Sequence, residues 1–207
     1  MKKVIFLTIT VLTAFVIIGI YSESITGGLS QNIVRLHVIA NSDSDSDQLL
    51  KLKVRDAILD KTRLDFTKKT DVLKNLDAYR EIAKDTITQN GYDYDINVEY
   101  GNFSFPTKHY NNISLPAGNY DALRIKIGKS EGKNWWCVMF PPLCFIDGTT
   151  ASSDAEEKLL SLIGREGYDI VTSQSSGSVP FEIKFKIVEM YGKLSGRDKV
   201  YATARKD

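Results

Sequence analysis

The chain has 207 residues, 43% of them apolar, enough for one well-buried domain and too apolar for a chain disordered throughout. Its 27 basic and 26 acidic side chains leave a formal charge of +1, so no net field exists to hold the phosphates of a nucleic acid. Nucleic acid is therefore excluded as a partner.

The N-terminus sets the compartment. Lys2 and Lys3 give a basic start, and residues 4–21 run eighteen positions without a charge. As a helix this segment would be about 27 Å long, close to the roughly 30 Å hydrocarbon core of a bilayer. It reads either as a retained membrane anchor or as a secretory signal peptide. Small residues at Ser22 and Ser24 offer a cleavage spacing, although no Ala-x-Ala is present. Both readings keep Lys2 and Lys3 in the cytoplasm and carry everything after Tyr21 across the membrane. A cut after Ser24 would leave 25 basic and 25 acidic residues, a neutral body.

Beyond a linker at 25–32, residues 33–41 alternate apolar and polar side chains and predict a strand. Residues 42–47 stop it. Leu49, Leu50, Leu52, Val54, Ala57, Ile58 and Leu59 recur at a mostly helical spacing, predicting a helix over 45–61 whose first-turn amides are capped by Asp43, Ser44, Asp45 and Ser46. A second helix is expected over 71–90, with Leu73, Leu76, Ile82, Ala83, Thr86 and Ile87 inward and Asn90-Gly91 as its stop. Residues 94–100, 102–109 and 120–128 read as strands, and 134–140 as a fourth whose large apolar run implies cover on both faces. A short helix is expected over 153–163, closed by Gly164 and Gly167. Residues 181–194 fit both periods and lean to helix, and 195–207 read as a frayed polar tail.

The order of elements gives an α+β class: one domain over 33–194, with a mostly antiparallel sheet of about four or five strands packed with helices, preceded by the hydrophobic signal or anchor helix within residues 1–24.

Several constellations invite chemistry. The string Asn41-Ser-Asp43-Ser-Asp45-Ser-Asp47 alternates oxygen ligands as a calcium loop does. In either register, however, the glycine and the twelfth-position glutamate are missing, and helix capping explains it at lower cost. Cys137 with His37 or His109 would make a thiolate–imidazole pair, but Cys137 sits in what reads as a buried strand, unlike a nucleophile that must meet substrate. Cys137 and Cys144 do not have a zinc spacing. The two cysteines are instead read as a disulfide, since both lie beyond the membrane and the count is even, with Pro141-Pro142 supplying the turn. Two buried free thiols are the alternative. Strand alternation cannot bury Trp135 and Trp136 on one face, so one of them needs a second covering surface, either a helix of this domain or another molecule. Nothing in the sequence calls for a cofactor, a metal or a small-molecule substrate.

Four stretches, RLHVIANSDSDSDQLLKLKVRDAIL, NGYDYDINVEYGNFSFPTKHY, LPAGNYDALRIKIG and GKNWWCVMFPPLCFID, together resemble, in order over about residues 33–147, the stage II sporulation protein R family of endospore-forming Firmicutes. The resemblance implies a non-enzymatic signal made in the forespore and exported into the space between forespore and mother cell. There it would trigger a membrane-embedded aspartic protease of the mother-cell membrane, the peptidase that processes pro-sigma-E. On that reading the residues expected to touch the protease are Trp135, Trp136, Phe140, Pro141, Pro142, Tyr110 and Arg124. The competing reading from another class is an exported cell-envelope hydrolase with an unrecognised active site.

Overall fold

The computed structural model of the chain describes residues 3, 5–6, 8–10, 13, 32–65, 69–110, 113–141, 143, 153–172 and 199–204. The described N-terminal residues are helical, with Ile5, Phe6 and Ile9 exposed. Most of the expected signal or anchor helix lies outside the described residues, and among those described no helix is long and apolar enough to cross a membrane.

Helices and strands combine in the expected α+β class. Strand β1 (Val34–Ile39) leads to helix α1 (Asp45–Asp65), the short α2 (Asp71–Lys74) and α3 (Leu76–Gln89). Strands β2 (Ile96–Phe105), β3 (Lys108–Tyr110), β4 (Ile113–Leu115), β5 (Gly118–Ile127) and β6 (Asn134–Phe140) follow, then helix α4 (Ser153–Thr172) and strand β7 (Lys199–Thr203). Five strands form the main sheet in the order β6-β1-β5-β2-β7, and β3 pairs with β4 as a small hairpin. The sheet is mixed rather than purely antiparallel, because β1 lies parallel to β5 while its other neighbour, β6, is antiparallel. The three helices between β1 and β2 make this possible: parallel neighbours need a long crossover, which a tight turn cannot supply.

Helix α1 begins as its sequence demands. Ser44 caps it, its Oγ accepting the Asp47 N–H at 3.2 Å while its carbonyl accepts the Gln48 N–H at 2.9 Å. Its inward stripe is Leu50, Val54, Ile58 and Thr62, a strict spacing of four, with the Thr62 hydroxyl donating to the Ile58 carbonyl at 2.6 Å. The acid-serine string is consumed by its own loop. Asp47 accepts from Ser42 Oγ at 2.6 Å and Asn41 Nδ2 at 2.9 Å, and Asp43 accepts the Lys133 N–H at 2.7 Å, tying this loop to the β5–β6 turn. Burial pushes the Asp47 carboxyl up, but hydrogen bonds led by those from Ser42 and Asn41 outweigh it and hold the group below the usual carboxylate range.

Several boundaries differ from the sequence reading. The helix expected over 71–90 breaks at Asn75, whose side chain donates to the Asp71 carbonyl at 2.8 Å and whose N–H bonds to the Val72 carbonyl at 3.2 Å. The break turns Val72 inward and leaves Leu73, expected in the core, 44% exposed. Residues 94–109 give one long strand and a short one, since β2 runs unbroken through Gly101. Gly164, at φ 71° and ψ 172°, is non-helical and closes the first stretch of α4 after Ile163 as expected, but a second helical stretch, not expected, continues across the kink to Thr172. The tail expected to fray is corrected over 199–203, where β7 joins the sheet beside β2. Gly101 makes room for it: a Cβ there would lie 2.1 Å from the Lys199 carbonyl oxygen. The helix-or-strand segment 181–194 lies outside the described residues.

Two cores flank the sheet. On one face Leu36, Val38, Val98, Leu123 and Ile125 meet α1, α2 and α3. On the other Phe103, Phe105, Tyr120 and Val138 meet the β3–β4 hairpin and Leu159 and Val171 of α4. This double cover matches the apolar run of β6.

Candidate interaction site

Along β6, period-2 alternation sends Trp135 and Trp136 to opposite faces. Trp135 packs on the helix side, where the Arg55 guanidinium lies 4.1 Å from its ring centroid and Arg55 in turn pairs with Asp56 at 2.7 Å. Trp136 stacks on His37 with centroids 3.7 Å apart and planes at 17°, and meets Phe105 edge-on at 4.8 Å. The His37 Nε2 and the Asn134 Oδ1 lie 2.9 Å apart, fixing the ring beneath the indole.

That stack begins a row crossing the whole sheet, because strand register sets Trp136 opposite His37, His37 opposite Arg124, Arg124 opposite Glu99 and Glu99 opposite Thr203. Glu99 accepts from Arg124 Nη2 at 2.8 Å, Arg124 Nε at 3.1 Å and Lys126 Nζ at 2.8 Å. Burial pushes its carboxyl up, but the hydrogen bonds and charges of Lys126 and Arg124 prevail and hold it below its ordinary range. The Arg124 guanidinium also lies 3.8 Å from the Phe103 centroid.

Beneath the row sits Arg35, fully buried between the rings of Phe105 at 4.3 Å and Tyr120 at 5.0 Å. Its Nη2 donates to the Tyr110 hydroxyl at 2.9 Å, and that hydroxyl donates to the Trp136 carbonyl at 3.3 Å. Its Nε and Nη1 have no hydrogen-bond partner among the described residues. Burial raises both Tyr110 and Tyr120, against the pull of the Arg35 charge.

The residues nominated from sequence therefore do not form one surface. Trp136, Tyr110 and Arg124 are half-buried and belong to one side of the sheet, linked through His37 and Arg35. Trp135 lies on the other side. Phe140 is buried in the helix-side core at the far end of β6, where a bulge between Val34 and Arg35 shifts the register, and Pro141 is buried after a cis bond. Pro142 and Cys144 lie outside the described residues. Cys137 is 2% exposed, faces the helix-side core and is disulfide-bonded, which does not suit a nucleophile. Sequence reasoning passed over Glu99, Lys126 and Arg35 and weighed His37 only as a partner for Cys137. The available signal was alternation in VRLHVI, which puts Arg35 and His37 together on the face opposite Val34, Leu36 and Val38.

The arrangement is an aromatic stack of Trp136 on His37 beside two cations, Arg124 and Lys126, that share the Glu99 carboxylate. Among the described residues no group of three or more side chains is placed to hold a metal ion.

No solved structure matches the chain. Stage II sporulation protein R of Bacillus subtilis (strain 168) is 36% identical over 133 residues, covering 60% of this chain and 59% of the relative, so the chain spans well under two thirds of that protein's length. The family model for stage II sporulation protein R matches residues 30–150, more than half of the chain and every strand from β1 to β6. The chain therefore belongs to the stage II sporulation protein R family.

Proposed function

We propose that this protein is an exported messenger of sporulation. Made in the forespore, it crosses the inner forespore membrane and, from the space between the two cells, activates a membrane-embedded aspartic protease of the mother-cell membrane by contact. The protease then removes the pro-sequence from pro-sigma-E. Family membership over residues 30–150 is the observation that carries this reading. The basic start and charge-free run of residues 4–21 support export, with the segment either cleaved or kept as an anchor.

Activation by contact needs differential affinity. Moving a protease from 1:99 to 99:1 in favour of its active arrangement takes about 5.5 kcal/mol between the two states. We assign contact to Trp136, Tyr110 and Arg124 on the His37 side of the sheet, because Phe140 and Pro141 pack inside the domain and Trp135 is held under Arg55. A disulfide between Cys137 and Cys144 belongs to the same reading, since Cys137 is bonded and the sequence holds one other cysteine.

The test is co-expression of the full chain with the candidate protease and pro-sigma-E in a non-sporulating host. The shortened factor is expected only when this chain is present. Processing that is equal without it, or absent with it, rejects the reading.

A further inference from the structure

Arg35 is a buried charge without a counter-ion. Its side chain is fully enclosed in β1, and among the described residues no carboxylate pairs with it. Burying a guanidinium is costly, and the cost is offset only by an anion or by a full set of hydrogen bonds. Here the rings of Phe105 and Tyr120 lie against the group at 4.3 and 5.0 Å, and the Tyr110 hydroxyl accepts from Nη2 at 2.9 Å. The donors on Nε and Nη1 meet no acceptor among the described residues.

The place of that one bond is informative. A carboxylate can grip a guanidinium along the edge formed by Nε and Nη2 or along the edge formed by Nη1 and Nη2, since the remaining edge is closed by the side chain's own Cδ. Nη2 belongs to both grips. Tyr110 thus occupies the nitrogen that either grip needs, while the other nitrogen of each stands unbonded. A neutral hydroxyl holds a cation less firmly than an ionised carboxylate does.

Tyr110 is also placed to give way. It lies on β3, in a hairpin that shares no ladder with the five-stranded sheet. Ile113 and Leu115 of β4 anchor that hairpin and are fully buried, whereas Tyr110 is half-buried. Turning its ring outward therefore leaves the anchor in place and opens the Nη2 edge to the surface.

We propose that Arg35 is the docking point for a carboxylate side chain of a protein partner, which displaces the Tyr110 hydroxyl from Nη2 and closes a two-pronged ion pair. A partner's side chain suits the site better than a free anion, because a partner lying across Trp136 and Arg124 turns Tyr110 aside as it lands. The proposal rests on the reading that the protein works by contact.

The test follows the Arg35 Nε–H and Trp136 indole N–H resonances of the full-length chain in detergent. The probe is glutamate blocked by acetyl and amide groups, with blocked glutamine as control. Blocked glutamate should shift both resonances saturably and blocked glutamine neither. Tyr110→Phe, which removes the competing hydroxyl, should bind blocked glutamate about tenfold more tightly than wild type. Arg35→Lys keeps the charge without the fork and should lose the indole shift, as should Arg35→Met. No shift in either wild type or Tyr110→Phe overturns the proposal, as does an equal shift with glutamine. Weaker binding by Tyr110→Phe than by wild type, or an indole shift kept in Arg35→Met, also overturns it. In the co-expression assay, a folded Arg35→Met chain that binds no blocked glutamate yet still yields the shortened factor overturns the docking point and leaves the signalling reading intact. A wild-type chain whose Arg35 binds blocked glutamate but that yields no shortened factor does the reverse.

Discussion

Replacing Trp136 by alanine separates packing from signalling most clearly. An enclosed tryptophan buries roughly 150–250 Å². Trp136 is half-buried, so about 100 Å² of apolar surface at about 25 cal/mol per Å² gives about 2.5 kcal/mol. The stack on His37 at 3.7 Å and the edge contact with Phe105 at 4.8 Å add about 1 kcal/mol. A loss of about 3.5 kcal/mol lowers the midpoint of a domain this size by about 10 °C. The Tyr110 bond survives the change, since it ends on the Trp136 backbone carbonyl. Trp136→Phe keeps a ring over His37 and should recover about half of the loss. Thermal unfolding followed by circular dichroism measures these effects, and processing of pro-sigma-E well below the midpoint measures the signal. Trp136→Ala should stay folded there and fail to signal, whereas Trp135→Ala, on the opposite face, should lose stability and still signal. An unchanged midpoint for Trp136→Ala refutes the packing argument. Signalling that fails for Trp135→Ala but not for Trp136→Ala refutes the choice of face.

Gly101→Ala should displace β7, because its Cβ would stand 2.1 Å from the Lys199 oxygen and 2.8 Å from Phe103 Cζ; we expect a loss of about 2 kcal/mol and faster amide exchange at 199–204 with β1 and β5 unchanged. Glu99 has its pKa depressed in the folded state, so it contributes stability at neutral pH that is lost as pH falls below about 4 through its folded pKa. Glu99→Gln should therefore lower stability at pH 7 and flatten the acid limb of a stability–pH profile. Arg35→Met replaces a buried cation, two of whose nitrogens have no hydrogen-bond partner among the described residues, by an apolar chain of similar length, and the urea midpoint should hold or rise. Thiol titration of the denatured protein should find no free thiols without reductant and two with it, as the proposed Cys137–Cys144 bond requires.

Much of the fold was legible because local periodicity and burial agree. The stripe Leu50, Val54, Ile58 and Thr62 and the cap at Ser44 are written in sequence spacing, and the apolar run of β6 announced cover on both sides. The misses arose where a long-range contact decided the outcome. A five-residue strand whose inward position is Ala202 has little apolar signal of its own, and β7 forms because Gly101, about a hundred positions earlier, admits its backbone. The parallel pairing of β1 with β5 likewise depends on strands that are distant in sequence. At the site, the aromatic pair and its split between faces followed from alternation. The row from Trp136 through His37 and Arg124 to Glu99 did not, because register between four strands is a tertiary property that no single stretch encodes.

The central claim is that the folded body acts outside the cytosol of the cell that makes it, by contact. The most direct test compares the exported chain with a version whose residues 4–21 are replaced by a polar segment, so that it stays in the producing cytoplasm, each co-expressed with the protease and pro-sigma-E. Shortened sigma factor is expected with the exported chain alone; equal processing with the trapped version would rule out action from outside the producing cytosol.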